Sequence, residues 1–207
     1  MTIILHDGKI FHVNKRKCRG IKKMSNQETL EKICSFYVSE WHMVTMLLPY
    51  INKQIENNVN VETILQQEIE KNVTELVSRL HTKNEEKIKA IYWKQRNLVN
   101  YKEIEKLLDK AMKNNNETII IVNGTNEYIG AVNTNIENYM QKHIRKLAGK
   151  GKKVKVINCY EVMQFNYNIN TILDMHDKVL NTSGEKEIEE MFAGYHRKET
   201  EAMENAN

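Results

Sequence analysis

Short apolar runs alternate with helix-length segments along most of this chain, and that alternation limits the fold more than any other feature of the sequence. The runs at 59–65, 118–122 and 154–160 are predicted strands, and helix-length segments separate them. A strand as apolar as 118–122 is typical of a sheet that is buried on both faces. Strands separated by helices indicate βαβ units. We therefore predict an α/β fold of three layers, in which helices flank a mostly parallel, doubly wound sheet.

Local patterns predict the remaining elements of this domain. Ser39 is the expected N-cap of a helix that contains Pro49, the only proline of the chain. Because proline lacks an amide proton, we expect it to bend that helix. Apolar stretches at 33–38 and 88–93 suit further strands. Further helices are predicted at 68–80, 101–113, 135–147 and 169–180.

The two ends of the chain differ from its middle, and they predict a division into three parts. Residues 1–29 contain an alternating pattern around Asp7-Gly8, which favours a two-residue β-hairpin turn, followed by a basic linker at 15–23. Residues 30–192 form the α/β domain, and 193–207 form a polar C-terminal tail.

Charge, cysteine content and hydropathy argue against several classes of protein. The chain carries 31 basic and 27 acidic residues, so its net charge of +4 does not mark a nucleic-acid-binding protein. The basic linker has no helix-turn-helix pattern or interleaved aromatic residue beside it, which favours an exposed connector. Three cysteines without a CxxC pair, and a start unlike a secretory leader, predict a cytoplasmic protein with free thiols. No run approaches the ~20 apolar residues of a membrane span, so we expect no membrane association.

The turns that follow the predicted strands carry no catalytic signature. A phosphate-binding loop needs glycines and a lysine, but Gln66, Gln67 and Glu68 follow the strand at 59–65. The turn at Gly124 could expose amides to an anion, although an ordinary strand-to-helix turn explains the same glycine. No histidine pair has the spacing of metal ligands, and no cysteine or serine lies in a nucleophile motif. We expect no enzymatic activity, no metal and no cofactor.

Several of these segments resemble the methanogen/methylotroph sensory (MEDS) domain family over about 30–192. The segments are Cys34-Ser35-Phe36-Tyr37, Leu48-Pro49-Tyr50-Ile51, 159–165 and 173–179. The resemblance implies a RecA-like, ATPase-related core without a phosphate-binding loop. It also implies a sensory or relay role beside transcription regulators or signalling modules, with a small hydrocarbon-derived ligand, and it singles out His176.

Ligands of open α/β sheets bind outside the carboxyl ends of the strands, and the predicted site lies there. We expect a pocket of aromatic groups with a few polar groups at its mouth. The candidate ligand-binding residues are Tyr37, Glu40, Trp93, Gly124, Tyr160, Glu161 and His176. Core packing is the alternative for the aromatic residues, and capping of a helix end is the alternative for His176.

These observations favour a non-enzymatic sensory or regulatory domain. It would bind a small molecule or a regulatory partner protein and relay a signal, in transcriptional or in stress or developmental control. The alternative is a protein-interaction adaptor, in which a degenerate nucleotide-binding fold is a scaffold and the hairpin or the tail makes the contact, including contact within a homodimer. Two further hypotheses, nucleic-acid binding through 15–23 and nucleotide hydrolysis, lack supporting motifs.

Overall fold

A six-stranded sheet organises the computed structural model of the chain, which describes residues 29–113, 117–164 and 169–195. In chain order the strands are β1 (Leu30–Tyr37), β2 (Asn60–Leu65), β3 (Glu117–Asn123), β4 (Lys153–Glu161), β5 (Lys178–Asn181) and β6 (Gly184–Glu187). They lie in the order β2-β3-β4-β1-β5-β6. The first five are parallel, and β6 is antiparallel to β5. The predicted hairpin at 2–13, the basic linker at 15–23 and the end of the chain from 196 lie outside the described residues.

Helices cover both faces of this sheet. They are α1 (Glu40–Glu56), α2 (Glu70–Leu80), α3 (Glu85–Lys89), α4 (Tyr101–Ala111), α5 (Asn126–Gly149), α6 (Ile169–Asp174) and α7 (Ile188–Met191). The buried apolar residues form two clusters, one with α1 to α3 and one with α4 to α7. The prediction of a three-layer α/β fold with a mostly parallel sheet is confirmed. In the described part of the chain, no helix is both long and apolar enough to cross a bilayer.

The apolar side chains of the interior strand β3 explain why helices cover both faces of the sheet. Ile119, Ile120, Ile121 and Val122 are all 0% exposed. Successive side chains of a strand point to opposite faces, so Ile119 and Ile121 pack in the α1 cluster while Ile120 and Val122 pack in the α5 cluster. A strand that is apolar at every position is stable only when both of its faces are buried.

Helix starts follow the capping signals of the sequence. The Ser39 side chain accepts a hydrogen bond from the amide of His42 at 3.3 Å, which confirms the predicted N-cap of α1. Thr125 caps α5 in the same way, and that helix begins at Asn126 instead of the predicted 135. Gly130 weakens the helical pattern of its first turns, but buried residues there stabilise them by packing.

The predicted strand at 88–93 is wrong. The structure has the short helix α3 there, followed by an irregular segment. Acidic residues precede basic ones within α3, an order that complements the helix dipole. Ile88 and Trp93, which made the stretch look like a strand, are both buried in the α1 cluster. A short apolar run does not by itself distinguish a strand from a buried turn of helix.

The predicted helix at 169–180 is correct only in its first half. Helix α6 ends at Asp174, because the amides of Met175 and His176 bond to carbonyls three residues earlier. The amide of Asp177 then donates to the Lys32 carbonyl at 2.7 Å, and the chain continues as β5 beside β1. The antiparallel strand β6 that completes this hairpin is not among the predicted elements.

Ion pairs join five strands at the amino end of the sheet, on the face covered by α1. The pairs are Lys155 with Glu31, Glu117 and Glu185, and Lys178 with Glu31 and Glu185, at 2.9–3.7 Å. Tyr50 of α1 donates a further hydrogen bond to Glu185 at 2.6 Å. Although burial disfavours the Glu185 carboxylate, the bonds from Tyr50 and Lys155 and the nearby positive charges outweigh it, and the pKa of Glu185 lies below its usual value.

We expect Glu185→Gln to lower the free energy of unfolding at pH 7 by about 1.5–3 kcal/mol, because it removes charged hydrogen bonds in a partly buried place. A carboxylate with a lowered pKa stabilises the fold above its unfolded pKa of about 4.3, and that contribution is lost as the pH falls through its folded pKa. Urea unfolding should therefore show the difference from wild type narrowing between pH 7 and about pH 3. The exposed Glu190→Gln is the control, and a difference that stays constant with pH would contradict the assignment.

Candidate functional site

Four of the predicted site residues lie at or beside the carboxyl ends of the strands. Tyr37 ends β1 and is the register partner of Glu161, which ends β4. Glu40 begins α1 and is exposed, and its carboxylate accepts a hydrogen bond from the Asn72 amide at 3.0 Å. Gly124 follows β3. The topology thus brings these four residues to one edge of the sheet.

Tyr37 is buried at this edge, and Asn123 at the end of β3 donates to its hydroxyl oxygen at 2.6 Å. Burial raises the pKa of Tyr37, and the charges of Glu161 and Glu40 raise it further. The phenol is therefore neutral at physiological pH. Asn123 Oδ1 is buried and has no hydrogen-bond partner among the described residues.

The carboxyl edge is acidic. The segments at the ends of the first four strands, 38–42, 66–70, 124–128 and 161–164, each include a glutamate and contain neither lysine nor arginine. A phosphate group placed outside this edge would meet like charge, and the nearby Lys94 is already paired with Glu70 at 3.5 Å. The edge where open α/β sheets bind nucleotides is thus unsuited to phosphate in this chain.

Gly124 is required by a close approach between two turns. A Cβ at this position would lie 2.6 Å from Gln66 Oε1 and 2.6 Å from the Tyr128 ring. The amide of Thr125 donates to the same Gln66 oxygen at 2.7 Å. Because a side chain already takes this amide, the turn is an ordinary connection from strand to helix and does not present that amide to an anion.

The other two predicted residues that the structure brings together, Tyr160 and His176, line a cleft of about 390 Å³ between α5 and α6. We call it the α5–α6 cleft. One wall is a stripe of α5 from 126 to 137, and the other is formed by α6 with Met175 and His176. Tyr160 of β4 and Lys32 of β1 complete the lining. The predicted site lies in line with the carboxyl ends of the strands. The α5–α6 cleft lies beside that position, in the helix layer on one face of the sheet.

His176 is 3% exposed, and hydrogen bonds hold both nitrogens of its ring. Its Nδ1 lies 2.6 Å from the carbonyl oxygen of Ile172, so Nδ1 carries the proton, and its Nε2 accepts from the Asn158 amide at 2.8 Å. The first bond confirms the alternative role predicted for His176, which is capping of a helix end. Burial lowers the pKa of His176 to about 4, and the nearby charge of Lys32 lowers it too, although the bond to Ile172 opposes the shift.

Tyr160 is 4% exposed, and its ring lies between two aromatic groups. The ring centre is 6.0 Å from that of Phe36 and 5.7 Å from that of His176, with an edge-to-face arrangement in the second pair. Its hydroxyl makes no hydrogen bond to any described residue. Burial raises the pKa of Tyr160, so the hydroxyl keeps its proton. The cleft therefore contains a neutral, unused hydrogen-bond donor.

Trp93, the remaining predicted site residue, lies on the opposite face of the sheet. It is 1% exposed, and its indole donates to the carbonyl of Ile88 at 2.8 Å. It packs in the α1 cluster, whereas Tyr160 packs in the α5 cluster. Core packing, the alternative that the sequence offered for the aromatic residues, accounts for every contact of Trp93.

Sequence reasoning missed Asn133, Asn158 and the Lys32–Glu137 ion pair. Asn133 lines the cleft, and its Oδ1 is buried without a partner in the described part of the chain. Lys32 and Glu137 lie 2.9 Å apart at one end of the cleft. Only Asn158 gave a usable signal, because it is a polar residue within the apolar run 154–160.

A larger open cavity, of about 840 Å³, lies at the opposite end of the sheet. Its lining includes Glu31, Glu117 and Lys155, which belong to the ion-pair network described above. Because these three charged groups already pair with one another, they offer no unpaired charge to a ligand in this cavity.

The cysteines and metal-binding side chains show no reactive arrangement. Cys34 and Cys159 are free and buried, and burial raises the pKa of each thiol to about 12, which is the environment of an inert thiol. In the described segments, His, Cys, Asp and Glu do not gather in any group of three that could hold a metal ion.

The sequence matches no family model and none of the curated proteins. The resemblance to the MEDS family therefore stays a prediction.

We expect wild-type stability to fall between pH 6.5 and pH 4 because of His176. The unfolded imidazole, with a pKa of about 6.5, takes up a proton in this range, whereas the folded one, with a pKa of about 4, does not. The stability is fully present above the unfolded pKa and is lost as the pH falls toward the folded pKa. Urea unfolding at pH 7 and pH 5 should show a loss about 2 kcal/mol larger in wild type than in His176→Gln. Equal losses in both proteins, each shown to be folded by circular dichroism, would contradict the burial of a neutral imidazole.

Proposed function

We propose that this chain is a sensory domain of MEDS type that binds a small molecule in the α5–α6 cleft and relays its presence to a partner. It acts without catalysis, in transcriptional or in stress or developmental control. Free buried thiols support a reducing, cytoplasmic location. The observation that carries the proposal is Tyr160, a residue only 4% exposed that lines the cleft and whose hydroxyl has no hydrogen-bond partner in the described part of the chain.

A relay needs an element whose position differs between two states, and α6 with β5 supplies it. Strand β5 pairs with β1 through only two residue pairs, Ile33 with Lys178 and Cys34 with Val179. Lys32 links the same segments, because its amide donates to the Asp177 carboxylate at 2.8 Å. A molecule bound between α5 and α6 would push against this short contact. We therefore expect α6 and β5 to be the elements that change position on binding.

The acidic carboxyl edge supports a sensory role over nucleotide hydrolysis. Its glutamates disfavour phosphate, and the Thr125 amide of its glycine turn is bonded to Gln66. A fold that keeps a parallel sheet but lacks a phosphate cradle can recognise molecules of other chemistry elsewhere on its surface. The α5–α6 cleft is such a place.

Gly130 provides the test, because it lines the cleft and a Cβ there would meet no atom within 4 Å. We expect Gly130→Leu to fill part of the cleft while keeping or raising stability, since glycine weakens a helix interior. Small-molecule hits from a thermal-shift screen should stabilise wild type by about 2.7 kcal/mol at 100 times their Kd and lose this effect in Gly130→Leu.

Gly149→Leu is the matched control, because Gly149 ends the same helix, is exposed and has equally open space around it. It should respond to the hits as wild type does. Hits that stabilise Gly130→Leu and wild type equally, or a broad library without any hit, would disprove binding in the cleft.

An adaptor remains the second candidate, and an exposed apolar cluster at the carboxyl edge favours it. Val38 and Trp41 follow β1, and Val162 and Met163 follow the adjacent β4, with exposures of 41–82%. Large apolar groups that lie together on a surface mark contact sites between proteins.

If this cluster joins two copies of the chain, sedimentation of the full chain should show a dimer, and the double variant Trp41→Lys, Met163→Lys should be monomeric. Leu80→Lys is the control, because Leu80 is 53% exposed at the far end of α2. A wild-type chain that stays monomeric at 100-fold different concentrations would exclude the homodimer.

A further inference from the structure

The polar groups inside the α5–α6 cleft define which molecule fits it. Resting on the function proposed above, we propose that the cleft takes a small neutral molecule with an apolar body and one polar group, such as an alcohol or a carboxamide. That group accepts a hydrogen bond from the Tyr160 hydroxyl and donates one to Asn133 Oδ1. The two residues belong to different elements, β4 and α5, and both line the cleft.

Tyr160 supplies the donor. The residue is 4% exposed and lines the cleft, and its hydroxyl bonds to no described residue. The hydroxyl is not among the buried polar atoms that lack a partner, so it is accessible to water and equally to a polar group of a ligand in the cleft. Because burial keeps the phenol protonated, the hydroxyl offers its hydrogen to an acceptor on the ligand.

Asn133 supplies the acceptor. It lies on the stripe of α5 that forms one wall, and its Oδ1 is buried without a partner in the part of the chain that the structure describes. An amide oxygen of this kind pairs with an O–H or N–H group. A pure hydrocarbon would leave both Asn133 and Tyr160 unpaired and would therefore bind more weakly.

Charge in the cleft disfavours an anion. Among the described residues that line it, Lys32 is the one cation, and it is paired with Glu137 at 2.9 Å. Glu127 adds a second carboxylate. His176, whose Nε2 accepts a hydrogen bond from Asn158, contributes no positive charge. An anionic ligand would thus find carboxylates and no unpaired positive charge.

The dimensions of the cleft suit a molecule about as large as a substituted benzene. A cavity of about 150 Å³ already accepts benzene, and this cleft measures about 390 Å³ and is open on one side. Ile172, Met175 and the Tyr160 ring supply the apolar contacts.

A matched series of probes on one ring tests the assignment: toluene, benzyl alcohol, benzamide, benzoate and benzylammonium. Each is titrated into the ¹⁵N-labelled full chain, and the Kd comes from amide shifts of residues that line the cleft. We expect benzamide and benzyl alcohol to bind about 2- to 12-fold more tightly than toluene and benzoate. Tyr160→Phe should remove this advantage and leave toluene binding unchanged.

Tyr139→Phe is the control for Tyr160→Phe, because Tyr139 lies on α5 and its hydroxyl donates to Asp109 outside the cleft. Asn133→Leu is the second variant, and it should weaken benzamide by about the same factor while Asn138→Leu, exposed on α5 and not in the lining, should not.

Two kinds of result overturn the inference while the proposed function stands. One is tightest binding by benzoate or benzylammonium at the cleft, and the other is equal affinity for toluene and benzamide. Absence of shifts at the cleft for every probe, together with screening hits that are insensitive to Gly130→Leu, overturns the proposed function as well.

Discussion

Burial of the central strands on both faces is the constraint on which the rest of this structure depends. The side chains of β3 from 118 to 123 are at most 1% exposed, so polar atoms among them can find partners only within the protein. Asn123 meets Tyr37 on the α1 face, and Asn158 meets His176 on the α5 face. The first pair joins the ends of β3 and β1, the second joins β4 to the segment that follows α6, and each includes a residue that the sequence nominated for function.

The two ends of the sheet carry different kinds of side chain. At its amino end, lysines and glutamates from five strands neutralise one another. At its carboxyl end, glutamates and exposed apolar side chains stand without lysine or arginine in the adjoining turns. A parallel sheet normally directs anionic ligands to the carboxyl end, and here that end is unsuitable for them. The site that we propose for a small molecule lies instead in the helix layer, where Tyr160 of β4 lines the cleft.

Local patterns predicted the layers of the fold because β2, β3 and β4 and the caps of their helices carry their information within a few residues. The segment at 88–93 and the β5–β6 hairpin were mispredicted or missed because their conformation depends on distant partners: the α1 cluster for Trp93, and the Lys32 backbone for Asp177. The cleft was only half predictable for the same reason. Tyr160 and His176 were nominated, but Asn133 looked like any solvent-facing residue of a helix until α6 was placed opposite it.

Gly130 leaves space in the α5–α6 cleft at a cost to the stability of helix α5. Neither its backbone angles nor its neighbours require glycine, since a Cβ there would meet nothing. Glycine within a helix forgoes about 0.5–1 kcal/mol relative to alanine. A campaign to raise the melting temperature of this protein would choose this position early, and each added methylene would narrow the opening beside Tyr160. If the cleft binds a small molecule as proposed, thermal stability and binding would therefore place opposite demands on this one helical position.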